Sequence, residues 1–193
     1  MSLQPTRTGA SLAASWLVAA GLILVTAHSS LAADPTAPGR MWAAIDVGRA
    51  PMPATAPGLS ESGTAWLFDV SIGIAVSPKV LLGAEKGSWM IASSWPSATR
   101  GAGIETLFVT ARVYPLKNSA LHVRLGGGLM LGGDESAPGS NAERLGWEAG
   151  VGYDLRLGGH HHLTPFVLFC SGHVGTMGAN LNILTIGAGY TYR

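Results

Sequence analysis

The chain has 193 residues, of which 47% are hydrophobic and only 12% charged, with 12 Lys and Arg nearly balancing 11 Asp and Glu. That balance leaves no basic field for nucleic acid, and the lone Cys170 excludes an intramolecular disulfide. The length remaining after an N-terminal targeting segment suits one domain.

Arg7 precedes an apolar stretch from Ala10 to Ala27, and Ser30-Leu31-Ala32 offers small residues for cleavage. These are the three parts of a secretory signal peptide, assigned to residues 1–33. A membrane anchor competes, since the stretch approaches the roughly 20 residues that span a bilayer. Polar Thr26, His28, Ser29 and Ser30, leading into the small-residue site, favour cleavage. Residues 34–40, with Pro35 and Pro38, read as a linker, and residues 41–193 as the folded domain. No later apolar run is long enough for a transmembrane helix, so membrane entry would require a closed barrel.

From Met41 onward, side chains alternate in short runs, and alternation places successive residues on opposite faces of a strand. The first run, Met41 to Arg49, sets Ala43, Ile45 and Val47 against Ala44, Asp46 and Gly48. Ala50 to Thr64, with Pro51, Pro53 and Pro57, reads as a long loop. The second run ends at the tight turn Ser77-Pro78-Lys79, and in it Phe68, Val70, Ile72, Ile74 and Val76 interleave with Leu67, Asp69, Ser71, Gly73 and Ala75. The third rises from Val80 to Lys86, with Trp89, Met90 and Ile91 extending it into a long connector, Gly87 to Gly103.

The fourth run covers Ile104 to Tyr114, and Pro115 to Ser119 makes a short turn before the fifth, Leu121 to Leu131. Gly132 to Glu143 forms the third long loop. The sixth run, Arg144 to Leu157, turns at Gly158 to His161 into the seventh, His162 to Ser171. After Gly172 to Asn180, the eighth run alternates Leu184, Ile186, Ala188, Tyr190 and Tyr192 with Thr185, Gly187, Gly189 and Thr191.

Long connectors after odd runs and short ones after even runs gather every short turn at one end. The predicted fold is therefore all-β, an eight-stranded antiparallel up-and-down transmembrane β-barrel following a cleaved signal peptide. A soluble lipocalin-like barrel also alternates, but hides its apolar face inside. Its water-facing exterior would be rich in Lys and Glu, whereas Lys79, Lys86 and Lys117 are the only lysines, in or near connectors. The non-apolar face carries glycine instead, including Gly73, Gly83, Gly126, Gly128, Gly146, Gly150, Gly152, Gly187 and Gly189, which leaves room in a narrow lumen for a few long side chains.

Those long side chains sit on neighbouring runs: Glu85 beside Arg112, and Arg124 beside Glu148 and Asp154. Buried charges persist only when paired, so this order predicts an ion-paired, closed lumen. Asp46 and Asp69 lack a basic neighbour in this order, and water, Asn182 or Thr185 is expected to satisfy them. Tyr153, Tyr190 and Tyr192 near the short turns, and Phe68 and Trp147 toward the long loops, predict two aromatic girdles. Ordinary soluble-core aromatics are the alternative.

Ala111-Arg112-Val113-Tyr114-Pro115-Leu116, Val123-Arg124-Leu125-Gly126-Gly127-Gly128, Gly150-Val151-Gly152-Tyr153-Asp154-Leu155-Arg156-Leu157 and Leu163-Thr164-Pro165-Phe166 resemble segments of small bacterial outer-membrane β-barrel domain proteins. The resemblance covers nearly the whole mature chain. It implies residence in the outer membrane, contact with its lipid and lipopolysaccharide, and insertion by the barrel-assembly machinery. Such barrels serve as adhesins, tethers, conduits and lipid A enzymes, so the fold does not fix the activity. The family's terminal strand usually ends on an aromatic; here Tyr192 is penultimate and Arg193 last.

Ser171-Gly172-His173 offers a nucleophile and a base. Lipid A deacylases of this size use His before Ser, the reverse order, and no acidic partner is evident here. His160, His161 and His162 could bind metal, but consecutive residues of a strand point to opposite sides. Gly126 to Gly132 lacks the spacing of a nucleotide loop. The expected function is a non-catalytic structural or surface-interaction role in the outer membrane, without metal, cofactor or nucleic acid, the long loops offering contacts to an extracellular partner. A small-solute or hydrophobic-molecule conduit, and a deacylase-like enzyme, are the alternatives.

Overall fold

The computed structural model describes residues 39–52, 63–92, 103–116, 119–133, 142–174 and 179–193. The expected signal peptide, most of the linker, the middle of each long connector and Lys117 lie outside these residues. The strands are β1 (Met41–Met52), β2 (Gly63–Ser77), β3 (Val80–Ala92), β4 (Gly103–Val113), β5 (Leu121–Gly133), β6 (Ala142–Tyr153), β7 (Leu155–Gly158), β8 (His161–Val174) and β9 (Ala179–Tyr192). No helix occurs among the described residues. β6 and β7 are two stretches of one barrel strand, interrupted at Asp154, where the backbone N–H leaves the ladder to donate to Ala120 O at 3.1 Å.

With β6 and β7 taken as one strand, each strand pairs antiparallel with its sequence neighbours, and β1 also pairs with β9. Together with the pairing of β6 to β8, this closes the sheet into an eight-stranded barrel. Nearly every run is longer than the sequence pattern suggested. β2 begins at Gly63 and β3 continues to Ala92, in register Thr64 to Ala92. Pairing persists beyond the alternating core because backbone groups, unlike side-chain patterns, gain from every added rung. At the short-turn end, Gly39 adopts φ +84° and donates to Ala75 O at 2.7 Å, so the last linker residues already pair with β2. Gly159, at φ +54°, supplies the left-handed residue of the β7–β8 turn.

The two faces are inverted relative to a soluble core. Leu107, Val109, Leu145 and Ile186 are among many large apolar side chains exposed on the outer face, Val109 by 71%. Asp46, Asp69, Glu85, Arg112, Arg124 and Glu148 point inward and are buried. A continuous apolar exterior of this kind is foreign to soluble monomers and characteristic of outer-membrane-type barrels. Lys86 is the lysine that sits well inside a strand, on the outer face of β3, with its ammonium 3.9 Å from Glu105 of β4.

Candidate functional site

The barrel interior is stacked in three layers. Toward the short turns, Trp42, Ala44, Ala75, Leu81 and Tyr114 form an apolar floor. Trp42 is the cross-strand partner of Gly73, which faces Gly83, and its indole Nε1 donates to Leu82 O at 3.2 Å. A Cβ on Gly83 would stand 2.7 Å from the indole, so glycine is what lets the ring lie there.

Above the floor lies the charged layer. Arg124 Nε donates to Glu148 Oε1 at 2.8 Å and its Nη1 to Asp46 Oδ2 at 2.8 Å. Its Nη2 contacts both Asp69 and Glu85. Arg112 donates to Asp46 at 3.4 Å, Ser71 Oγ at 3.2 Å and Thr191 Oγ1 at 3.2 Å, and its guanidinium stands 4.7 Å from the Trp42 ring centroid. This cation–π contact joins the floor to the charged layer. Gly126 and Gly189 make room for the carboxylates: a Cβ on Gly126 would meet Glu148 at 2.7 Å, and one on Gly189 would overlap Asp46 Oδ1.

Toward the long connectors the lumen turns apolar again, filled by Leu67, Trp89, Ile104, Phe108, Met130, Leu168, Cys170, Leu181 and Ile183. Trp89 Nε1 donates to Thr185 Oγ1 at 3.4 Å. A cavity lined by Asp46, Arg112, His122, Arg124 and Thr164 has a volume of about 10 Å³, room for roughly one water.

Arg124 meets Glu148 of the adjacent strand, but the other expected ion pairs are distributed differently. Glu85 reaches Arg124 and not Arg112, while Arg112 turns to Asp46. Asp154 does not meet Arg124. Its carboxylate accepts from Tyr114 Oη at 2.7 Å and Thr164 Oγ1 at 2.8 Å, and lies 3.3 Å from Arg193. Burial and the Asp154 charge push the Tyr114 phenol up, so it remains a donor across the physiological range. Asp46 and Asp69 take arginine partners, whereas Asn182 accepts from Ser171 on the outer face and Thr185 serves Trp89. Neighbouring strands do not supply these partners because an extended arginine crosses a lumen this narrow and meets the opposite wall. Nor is the inner face only small or polar: Leu67, Trp89 and Phe108 fill space that charge alone would leave open.

Phe68, Trp147, Tyr153 and Tyr190 are exposed on the outer face, Trp147 against Phe169 with ring centroids 5.4 Å apart. Tyr192 is only 9% exposed, covered by the rings of His160 and His161. Trp66, which the alternating reading passed over, is exposed two residues before Phe68 on β2. The Ser171 hydroxyl donates to Asn182 Oδ1 at 2.7 Å, and the His173 side chain lies outside the described residues. The three consecutive histidines diverge: the His161 ring lies against Tyr190 and Tyr192, whereas His162 is buried on the inner face.

No protein-family model matches the chain, and no curated protein matches it. Among solved structures it is similar to Neisserial surface protein A (NspA), with a TM-score of 0.54 and 16% identity over 79% of this chain and 96% of that one. The de novo designed TMB2.3 aligns at a TM-score of 0.42 and 14% identity, over 81% of this chain and 94% of the design. The eight-stranded architecture expected from the alternating runs is thus the fold of a known outer-membrane barrel.

Proposed function

We propose that the protein is an integral β-barrel of the bacterial outer membrane whose role is non-catalytic, anchoring the long connectors at the surface and contributing to envelope structure. The observation that carries this reading is the filled interior, with its apolar floor, charged layer and apolar upper half and a cavity fit for about one water. Such a lumen engages its carboxylates with arginines and is filled by side chains of the described residues, which favours activity at the outer wall and the long connectors. The partners on this reading are outer-membrane lipid and lipopolysaccharide on the wall, the barrel-assembly machinery during insertion, and an extracellular partner at the loops.

Planar-bilayer recording with purified protein tests it directly. A closed barrel inserts without steady current, and steady open-channel currents would overturn the reading in favour of a conduit. Protease treatment of intact cells gives the complementary result: cleavage confined to the long connectors is expected.

A further inference from the structure

The charged layer holds more acid than base. Asp46, Asp69, Glu85 and Glu148 face Arg112 and Arg124, four carboxyls to two guanidiniums, and all six side chains are buried. Among the described residues no further cation redresses the count at this level. β8 brings Cys170, the cross-strand partner of Glu148, and β9 brings the hydroxyls of Thr185 and Thr191. On the short-turn side, His122 and Arg193 turn to Asp154, at 3.6 and 3.3 Å, and Arg40 precedes Trp42 of the floor by two residues.

The deficit falls on Asp69 and Glu85. Glu148 accepts from Arg124 Nε and Asp46 from Arg124 Nη1, each at 2.8 Å, and Asp46 has Arg112 as a second partner. Asp69 and Glu85 instead converge on one atom, Arg124 Nη2, which also lies 3.5 Å from Glu148 Oε2. A terminal guanidinium nitrogen carries two hydrogens, and here three carboxyl groups surround it. The second oxygens, Asp69 Oδ1 and Glu85 Oε2, are buried without a hydrogen-bond partner. Asp46 Oδ1 lacks one too, but Asp46 lines the cavity with room for about one water, and Asp69 and Glu85 are not among its lining residues. Two carboxylates that share one donor out of water do not both stay ionised when a proton can neutralise them.

We propose that this layer is a proton-binding site, in which Asp69 and Glu85 each hold a proton taken from solvent. Two protons and two guanidiniums neutralise four carboxyls, and each protonated group gains an O–H donor where the ionised one offered acceptors alone. A metal ion is the poorer compensator, because no group of three acidic, histidine or cysteine side chains among the described residues is placed to hold one. The consequence for stability has a definite sign. The folded barrel keeps protons that the unfolded chain gives up at neutral pH, so stability rises on acidification towards the ordinary carboxylate range and falls as pH is raised. The site goes beyond the loop-centred reading above and does not depend on it, since the proton count is indifferent to what the connectors bind.

The test unfolds the full-length barrel from lipid vesicles in urea at neutral pH, in weak buffer with a pH indicator. The comparison is the double variant Asp69→Asn, Glu85→Gln, whose amides match the protonated acids in shape and whose folding heat-modifiable gel mobility verifies. Wild type should release close to two protons per chain more than the variant, one from each of Asp69 and Glu85. Its unfolding equilibrium constant should rise with pH by up to about tenfold per pH unit for each proton held, a dependence that the variant loses. In wild type alone, the infrared carbonyl band of a protonated carboxyl should be present in the folded barrel at neutral pH and vanish on unfolding. An excess below one proton per chain, or a folded barrel without that band, overturns the proposal. Stability that follows sodium concentration with no excess proton release assigns the compensation to a bound cation and overturns it equally.

Discussion

Arg124 on β5 spans the barrel to Asp46 on β1, Nη1 to Oδ2 at 2.8 Å, and these two strands stand diametrically opposite in the ring of eight. One side chain thus ties together opposite walls, and its other contacts reach β2, β3 and β6. Replacing it by methionine would leave Arg112 facing four buried carboxylates. Breaking a buried ion pair by removing one partner costs about 3–5 kcal/mol. Arg124→Met is accordingly expected to lower the unfolding free energy of the barrel in lipid vesicles by that amount, read as a lower urea midpoint, and an unchanged midpoint would show that the charged layer is not structural.

The close approach of Trp42 to Gly83 gives a second expectation. Gly83→Leu would drive a side chain into the indole and into Ile72 O, 2.5 Å from the position of its Cβ. Overpacking of this kind costs about 1–3 kcal/mol. The heat-modified gel shift should occur at a lower temperature than in wild type, and Gly127→Ala, where the nearest atom is 3.5 Å away, serves as the control with little change.

Val109, the most exposed residue of β4, tests the outer face. Arginine placed there is expected to reduce folding free energy in phosphatidylcholine vesicles by about 2–4 kcal/mol if the site lies near the bilayer midplane. A change within experimental error would mean that the apolar wall does not face hydrocarbon.

Tyr114→Phe removes the 2.7 Å bond to Asp154 and strips a buried carboxylate of one donor. Hydrogen bonds to charged groups contribute about 1.5–3 kcal/mol. The loss should appear as faster unfolding in urea, and because the phenol donates in its neutral form the difference from wild type should stay constant between mildly acidic and mildly alkaline buffer.

Cys170 is 1% exposed within the upper apolar layer. It should resist maleimide in the folded barrel and label fully once the chain is unfolded in urea. Labelling of the folded protein at the unfolded rate would show that this layer opens to water.

The barrel, its strand order and its inverted faces were legible in the sequence because alternation and connector length report local geometry. Inside, the Arg124–Glu148 pair of adjacent strands was legible and the remaining partners were not, for a reason visible in Arg124. Sequence order marks adjacent strands, whereas the width of an eight-stranded lumen brings a long side chain to the strand four places away around the ring. Counting four strands onward from β5 would have led to Asp46. Leu67, Trp89 and Phe108 were hidden differently: they occupy positions of the smaller-residue face, and only the need to fill the upper lumen explains them. Tyr192 keeps the outward phase of its neighbours, but the histidines of the adjacent turn cover it.

The charged layer also has an order in time. Every carboxylate and guanidinium of its central cluster belongs to β1 through β6, from Asp46 to Glu148, while β8 and β9 bring to the same level only the hydroxyls of Thr164, Thr185 and Thr191. A curling sheet that lacks its last two strands therefore already sets an arginine against each of the four carboxylates it must bury, two cations to four acids. Seam closure by β8 and β9 then seals the cluster from water and brings the Thr191 hydroxyl to Arg112, so full desolvation of these charges waits for the end of the chain.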